Sequence, residues 1–514
     1  MYNSELRHHK KSQLQIHTTG RNLFMEAIQG LLQGSVDFLN NILWSYVLIA
    51  VLVGAGIYFT VKTRFMQFRY LKEMFRAVTD KSDVTPSKDG KSITPMKSFF
   101  IGAATRIGTG NLAGVTVAVT LGGPGAVFWM WIVALLGGAT AMIESTLAQV
   151  YKVKDDVAYR GGPAYYIEKG LNNRALGIVF AVLIAVTFGL IFNSVQSNTI
   201  AAAFDNAFGV DAVIGGAILV VLTGLVIFGG VQRVANFSAI VVPVMAVLYL
   251  VIALYVVVVN FAELPAVFAM IFQSAFGLDE AVGGSIGAAI SMGVRRGLFS
   301  NEAGMGSAPN AAAAAEVSHP AKQGFLQSLG VFLDTLIVCT ATAAIILLSD
   351  SYASGNGEGI VLLQNALTEQ IGALAPAFIA ISVFLFAFSS IAGSYYYGET
   401  NIEFIKKSKG AVLGFRLATM AFVFIGAVAS LGFVWSLADL FMAGMTLINI
   451  AAITLLGGVA LKVLKDYEEQ RAQGLNPRFS ARKLGIENTE CWDVEEDEVA
   501  QGSVQTAAAD ASKS

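Results

Sequence analysis

Long apolar segments are the feature of this sequence that most restricts its fold. Of the 514 residues, 55% are apolar and 14% are charged, and the apolar residues are grouped in runs of roughly 20 or more, the length of a membrane-spanning helix. In lipid every backbone N–H and C=O needs a partner within the protein, which favours helices. We therefore predict an all-α, polytopic membrane protein with about eleven transmembrane helices. The predicted spans cover residues 42–62, 95–121, 124–151, 174–203, 211–229, 233–259, 283–315, 321–349, 371–398, 410–431 and 433–463.

The chain divides by composition into three parts. Residues 1–41 are predicted to form a polar tail followed by an amphipathic segment at the membrane surface. Residues 42–465 form the transmembrane domain. Residues 466–514 become polar, then acidic and low in complexity, which predicts a disordered cytoplasmic tail.

The span 95–121 contains a sequence that interrupts a helix. Gly108 and Gly110 flank Thr109 and precede Asn111, and each glycine weakens a helix by roughly 1 kcal/mol relative to Ala. Interrupted backbone at membrane depth is tolerated only inside protein or beside a wet cavity. The break therefore predicts a binding site near the middle of the membrane, although small residues at a close helix contact would give a similar pattern.

A second break, at residues 300–306 within the span 283–315, repeats the Gly-x-Gly pattern beside an Asn and adds Glu302. Two interrupted helices in corresponding halves are typical of a transporter site. Each opens a run of five predicted helices, 95–259 and 283–463. An odd number of helices per run inverts the second run relative to the first, and the first predicted helix lies outside both.

Basic residues predict the orientation. Lys and Arg concentrate in the segments 62–97, 152–174 and 406–416, whereas the connections on the opposite side lack them. Under the positive-inside rule the C-terminus is cytoplasmic and the N-terminus lies outside, in a plasma (inner) membrane. The basic N-terminal tail departs from this pattern, and the regular asymmetry of the other loops outweighs it.

Several classes of function are disfavoured. The net charge of −2 indicates no nucleic-acid partner. No Gly-rich Lys-Ser/Thr phosphate loop, metal-ligand spacing or nucleophile–base pair is present, so we expect neither an enzyme nor a bound cofactor. Cys339 and Cys491 give no disulfide framework. An ion channel remains a distant alternative to a transporter.

Ionisable residues at membrane depth are expensive and are functional candidates. We expect them to form gate or network ion pairs. They are Arg106, Glu144, Arg295, Arg296, Glu302, Asp334 and Asp439.

Four motifs carry a resemblance to a known family. They are Gly108-Thr-Gly-Asn-Leu-Ala-Gly, Gly122-Gly-Pro-Gly-Ala-Val-Phe-Trp-Met-Trp, Gly161-Gly-Pro-Ala-Tyr-Tyr and Gly297-Leu-Phe-Ser-Asn-Glu-Ala-Gly-Met-Gly-Ser-Ala-Pro. From about residue 41 to 465 the chain resembles the alanine/glycine:cation symporters. The resemblance implies a LeuT-like 5+5 inverted repeat with one extra N-terminal helix. It also implies sodium-driven import of alanine, glycine or another small neutral amino acid by alternating access.

The resemblance also implies the site residues. Substrate contacts are expected from Thr109, Gly110, Asn111, Gln196, Phe299, Ser300 and Asn301. Gln196 would otherwise serve as an interhelical hydrogen-bonding residue. Sodium, a hard cation that prefers oxygen ligands, is expected at the carbonyls of Ala104 and Ile107 and the hydroxyls of Ser389 and Ser390. A serine in a membrane helix otherwise bonds the carbonyl four residues earlier.

Ser394 marks a departure from the family pattern, which has a Trp four residues after the hydroxyl pair. Residues four apart share a helix face, so Ser394 is expected to line the substrate pocket. The smaller side chain predicts a wider pocket, which favours glutamine as an alternative substrate. A proton-coupled carrier is another alternative.

Overall fold

The computed structural model describes residues 33–79, 93–155, 158–277 and 285–492. Most of the predicted N-terminal tail and residues 493–514 of the predicted C-terminal tail therefore lie outside the described residues. In the first half of the chain the helices are α1 (Gln33–Lys62), α2 (Met66–Arg69), α3 (Leu71–Thr79), α4 (Pro95–Arg106), α5 (Ala113–Gly122), α6 (Gly125–Val150), α7 (Pro163–Gly170), α8 (Arg174–Phe208), α9 (Ala212–Ile227), α10 (Gly230–Val259) and α11 (Leu264–Ala275). Strands β1 (Val153–Lys154) and β2 (Tyr159–Arg160) form a short antiparallel hairpin between α6 and α7.

The second half is helical as well. Its helices are α12 (Ile286–Asn301), α13 (Ala308–Ala314), α14 (Pro320–Leu347), α15 (Asp350–Ala353), α16 (Ile360–Ile371), α17 (Ala375–Ile405), α18 (Lys409–Val428) and α19 (Leu431–Ala472). Three of the long helices contain a π-helical turn: Leu43–Val47 in α1, Thr187–Phe192 in α8 and Leu333–Cys339 in α14.

Eight helical segments in the described part of the chain are long and apolar enough to cross a membrane. The all-α, multi-pass prediction is confirmed, and the count of about eleven stays a prediction. Three predicted spans are absent from the eight for physical reasons. The spans 95–121 and 283–315 are interrupted, and α9 has 16 residues, about 24 Å of helix against a hydrocarbon core of about 30 Å.

The first break follows a well-capped helix. Thr94 accepts a hydrogen bond from the Lys97 N–H, and Pro95 occupies the first turn of α4, where its missing N–H costs nothing. The helix ends at Arg106. After Gly108 the chain makes one 3₁₀ turn, Thr109–Asn111, and becomes α-helical again in α5.

The second break depends on backbone conformations that favour glycine. After α12 ends at Asn301, Glu302 has φ 59°, Gly304 has φ 83° and Gly306 has φ 84°. Positive φ is costly for residues with a Cβ, and glycine adopts it freely. The Gly-x-Gly pattern therefore interrupts the helix between α12 and α13.

Close helix packing places these breaks at the centre of the bundle. Helix α6 packs against α12 and α14, and α8 packs against α17 and α18. At the α8–α18 contact an ideal Cβ on Gly426 would lie 2.3 Å from the Ser194 Cα, so only glycine allows this approach.

Residues 473–492, which we call the C-terminal strap, turn back onto the helix ends. The Phe479 N–H donates to the Ser318 carbonyl at 2.9 Å, and the Trp492 indole donates to the Gln149 carbonyl at 3.0 Å. The predicted domain boundary at residue 465 falls inside α19, and the division into domains stays a prediction.

Candidate binding site between the two broken helices

The two breaks lie in direct contact. An ideal Cβ on Gly110 would be 3.0 Å from the Ser300 Cα and 3.1 Å from the Phe299 ring. Glycine at position 110 therefore lets the first break approach the second closely. Gly110 lies 190 residues before Ser300 in the sequence. In the structure it forms one buried site with Ser300 and the adjacent Phe299.

Side chains satisfy the backbone N–H groups of the first break. The Asn111 Oδ1 accepts from the Gly108 N–H at 2.9 Å, and the Gln196 Oε1 accepts from the Thr109 N–H at 3.1 Å. Gln196 thus makes a hydrogen bond between α8 and the break, at the place where the predicted substrate contacts gather.

Asp334 on α14 receives hydrogen bonds from both breaks. The Asn111 Nδ2 donates to Asp334 Oδ1 at 2.6 Å, and the Ser300 Oγ donates to Oδ2 at 2.8 Å. Thr335 adds a third donor at 2.9 Å. Sequence reasoning identified Asp334 as a charge at membrane depth, but nothing in its local sequence indicated that it joins the breaks.

Arg106 and Asn301 connect the ends of the half-helices. The Arg106 Nε donates to the Asn301 carbonyl at 3.0 Å, and its Nη1 donates to the Gln327 Oε1 at 2.8 Å. A cation at the C-terminus of α12 is favourable because the helix dipole is negative there. The Asn301 side chain bonds Thr335 and the Ala303 N–H, so its side chain fixes the shape of the break.

Glu144 on α6 holds the second break in position. Its carboxylate accepts from the N–H groups of Gly304 and Gly306 at 3.0 and 3.2 Å and from the Asn449 amide at 2.8 Å. Glu302, inside the break, accepts from the Ser307 hydroxyl at 2.6 Å. These two carboxylates are satisfied by local donors.

An aromatic layer covers one side of the site. The Phe299 ring lies 4.5 Å from that of Phe192 and 4.7 Å from that of Trp435, measured between centroids. Arg296 stacks over Trp435 at 4.5 Å and forms an ion pair with Asp439. Sequence reasoning missed Phe192 and Trp435, since neither belongs to a motif.

Several buried polar atoms at the site have no hydrogen-bond partner among the described residues, including the Arg106 Nη2. Two of them are the Thr109 hydroxyl and the Trp435 indole N–H. Both residues border Gly114, whose ideal Cβ would lie 3.6 Å from the Thr109 carbonyl and from the Trp435 ring. An unsatisfied buried group costs about 1–3 kcal/mol, so a polar ligand that bonds these atoms would be stabilised here.

The predicted sodium residues separate into two sets. The Ser390 Oγ donates to the Ala104 carbonyl at 2.7 Å, next to the break at Ile107. Both serines also bond the Phe386 carbonyl of their own helix, Ser390 at 3.0 Å and Ser389 at 2.9 Å. The Ser389 Oγ lies 3.8 Å from the Met245 sulfur of α10. The structure brings Ser390 to the Ala104 carbonyl and to Gly108, the residue after Ile107, and directs Ser389 to another helix.

Ser394 is buried one turn beyond Ser390 on α17. Near it, an ideal Cβ on Gly393 would meet the Thr105 side chain at 2.6 Å, and the Tyr397 hydroxyl bonds Thr105 at 2.9 Å. This stretch of α17 therefore packs on α4 just before the first break.

A buried polar site between two interrupted helices, in a bundle of membrane-length helices, is the arrangement of a secondary transporter. The chain belongs to the sodium:alanine symporter family, whose pattern it matches over residues 29–481. The resemblance found in the four motifs is confirmed. The family consists of symporters, so the protein is a transporter and not an enzyme.

Three relatives illustrate the match. The chain is 54% identical to the amino-acid carrier protein AlsT of Bacillus subtilis, over 90% of this chain and 98% of that protein. It is 50% identical to the probable sodium/glutamine symporter GlnT of the same organism, over 91% and 97%. It is 38% identical to the sodium/alanine symporter AgcS of Methanococcus maripaludis, over 85% and 96%.

Proposed function

We propose that this protein imports alanine and other small neutral amino acids, such as glycine, together with sodium by alternating access. The observation that carries the proposal is the contact between the two breaks, where a buried hydroxyl on Thr109 and the indole of Trp435 lack partners. The family description and the name of the relative AgcS support alanine as the substrate. One sodium ion moving down 100 mV supplies about 2.3 kcal/mol, enough for roughly 50-fold accumulation.

The substrate occupies the space bordered by the breaks, Gln196 and the aromatic layer. Its charged ends are recognised by the interrupted backbone, because half-helix N-termini favour a carboxylate and free carbonyls favour an ammonium group. The residues proposed to contact it are Thr109, Gly110, Asn111, Gln196, Phe299, Ser300, Asn301 and Ser394. Phe299 closes the pocket by packing on Phe192 and Trp435.

Sodium binds beside the first break, at the carbonyls of Ala104 and Ile107 and the hydroxyl of Ser390, with Ser389 as a weaker candidate. The contact between Ser390 and the Ala104 carbonyl supports this assignment. A hydroxyl already beside a carbonyl gives two oxygen ligands of the kind that hard cations prefer.

The proposed topology is the LeuT-like 5+5 inverted repeat with one preceding helix and about eleven spans. The breaks at the start of each five-helix run support it. With the N-terminus outside and the C-terminus cytoplasmic in the inner membrane, the C-terminal strap lies on the cytoplasmic side.

Uptake into proteoliposomes tests the function. With a sodium gradient, labelled alanine is expected to accumulate, and without it uptake should fall to the equilibrium level. A panel containing glycine, glutamine and leucine measures the width of the pocket at Ser394. Glutamine uptake comparable with that of alanine would favour the alternative suggested by the relative GlnT. Accumulation that depends on a proton gradient alone, or flux that does not saturate, would refute sodium symport.

Ser390→Ala and Ser389→Ala should have unequal effects on sodium affinity. Ser390→Ala removes the hydroxyl next to the Ala104 carbonyl, and we expect the sodium concentration for half-maximal uptake to rise about tenfold, the equivalent of ~1.4 kcal/mol. Ser389→Ala should change it less than twofold, because its hydroxyl faces Met245. Sodium titration of initial alanine uptake measures both values. Equal shifts would place the ion between the two serines instead.

A further inference from the structure

Arg296 on α12 and Asp439 on α19 form a buried ion pair that uses only part of each side chain. The Arg296 Nη2 donates to the Asp439 Oδ2. The Arg296 Nε and Nη1 and the Asp439 Oδ1 are also buried, and they have no hydrogen-bond partner within the described part of the chain. The exposed fractions of the two side chains are 3% and 6%. The pair therefore offers free donors beside a free acceptor, at a place where unsatisfied polar atoms are costly.

Arg295 gives this cluster an excess of positive charge. Its Nη1 lies 3.9 Å from the Asp439 Oδ2, and its guanidinium lies over the Trp44 ring of α1 at 5.4 Å. Among the residues that the structure describes, Asp439 is the one acidic side chain that forms an ion pair with either arginine. Two guanidinium groups thus share one carboxylate, and a buried charge without its counter-charge is strongly unfavourable. A ligand that brings a carboxylate to the cluster is therefore favoured.

The aromatic layer connects this cluster to the site between the two breaks. Arg296 lies 4.5 Å from the centre of the Trp435 ring and 6.0 Å from that of Phe299. Phe299 also borders the first break at Gly110. Helix α12 begins at the outer surface in the proposed topology, so Arg296 comes before Phe299 on the way into the membrane. The cluster therefore lies on the path of an incoming substrate.

An α-amino acid matches the free atoms of the cluster with both of its charged groups. Its carboxylate has two acceptor oxygens, which suit the fork of donors on a guanidinium. Its ammonium group donates hydrogen bonds, and the Asp439 Oδ1 is an acceptor. Both groups are attached to one carbon of the amino acid, just as the free donors and the free acceptor belong to two side chains in contact. The cluster therefore suits the part that all α-amino acids share and leaves the side chain unread.

We propose that Arg296 and Asp439 form a second, outer binding site that holds an α-amino acid zwitterion before it reaches the breaks. The inference rests on the proposed amino-acid symport and adds a binding step to it. Arg296 binds the carboxylate, Asp439 binds the ammonium group, and the charge of Arg295 stabilises the bound carboxylate. Movement of the aromatic layer, which contacts both sites, then passes the amino acid inward.

Equilibrium binding of labelled alanine to the purified protein tests the outer site. In Asn111→Ala the site between the breaks is disrupted, and alanine should still bind in sodium-free buffer, because no proposed sodium ligand belongs to the cluster. Wild type without sodium should show the same binding. Adding Arg296→Lys keeps the charge but removes the fork of donors, and should weaken this binding about tenfold. Arg233→Lys, at an exposed position on α10, is the matched control and should leave it unchanged.

Competitors show which groups the outer site recognises. In Asn111→Ala, leucine should displace alanine as well as glycine does, because the side chain is not read. Alaninamide lacks the carboxylate and propionate lacks the ammonium group, so each should compete about tenfold less well. Displacement by propionate or chloride as strong as that by alanine would make the cluster a simple anion site and overturn the amino-acid assignment.

In transport the outer site should affect KM rather than kcat. Arg296→Lys alone is expected to raise the KM for alanine about tenfold and to keep the saturating rate within about twofold of wild type. Asp439→Asn tests the ammonium end in the same way, with the exposed Asp205→Asn on α8 as its control.

Two results overturn the outer site. One is the absence of sodium-free alanine binding in both Asn111→Ala and wild type, and the other is such binding that neither Arg296→Lys nor Asp439→Asn weakens. Failure of wild type to import any neutral amino acid would refute the proposed function, while sodium-free alanine binding that Arg296→Lys weakens would still support the outer site.

Discussion

Asn111→Ala is expected to lower the initial rate of sodium-driven alanine uptake about 100-fold. The substitution takes a donor from the buried Asp334 carboxylate and one of two acceptors from the Gly108 N–H, which keeps the Arg106 carbonyl at 2.9 Å. Loss of a donor from a buried charged group costs the upper end of about 1–3 kcal/mol, and ~3 kcal/mol corresponds to roughly 100-fold. Both losses fall on the first break, so the conformation that binds substrate becomes rare. Initial uptake in proteoliposomes with equal amounts of protein measures the effect.

Two further variants separate loss of the site from loss of folding. Asn41→Ala removes the same amide from an exposed position on α1 and should transport normally. Asn111→Asp keeps the acceptor for Gly108 but places a carboxylate against Asp334, so it should be as inactive as Asn111→Ala. Combining Asn111→Asp with Asp334→Asn restores a donor–acceptor pair and should recover part of the activity, as a double-mutant cycle requires of a direct contact. If Asn111→Ala transports at the wild-type rate, the first break is not part of the binding site.

Gly108→Ala is expected to raise the sodium concentration for half-maximal uptake by about 5- to 150-fold. The added Cβ would lie 2.3 Å from the Ser390 Oγ and 3.2 Å from the Gln196 Oε1, so the serine must leave the Ala104 carbonyl. Overpacking a buried site costs about 1–3 kcal/mol, which gives this range. The expected shift therefore reflects displacement of a proposed sodium ligand rather than loss of a flexible backbone.

The matched control for Gly108→Ala is Gly444→Ala. An ideal Cβ on Gly444, within α19, meets no atom within 4 Å, so the same chemical change adds a methyl group to open space. Its sodium titration should coincide with that of wild type. If the sodium titration of Gly108→Ala also coincides with that of wild type, Ser390 is not a sodium ligand.

The breaks were predictable from sequence because their cause is local. Gly108, Gly110, Gly304 and Gly306 weaken the helix where they stand, and no distant residue is needed to see it. The long apolar helices were predictable for the same reason. Periodicity shows that adjacent serines such as Ser389 and Ser390 face about 100° apart on a helix, but only the packing decides which of them meets α4.

The meeting of side chains from distant segments could not be predicted. Asp334 reaches the breaks because α14 packs beside them, and its neighbours in sequence carry no sign of that contact. Phe192 and Trp435 likewise become a cover for the site through the positions of α8 and α19. The sequence shows that such residues are apolar or charged at membrane depth. Which residues they contact is decided by the packing of the helices.

The C-terminal strap has a practical consequence for protein engineering. A chain shortened after Ala472, where the last helix ends, would lose the bonds from Phe479 to Ser318 and from Trp492 to Gln149. It would also uncover Lys152, whose ammonium group lies 4.7 Å from the Trp492 ring. Tolerance to truncation follows the bonding of the backbone rather than its distance from the terminus. Trp492 is therefore the earliest point at which the chain can be cut or fused to a reporter with these contacts intact.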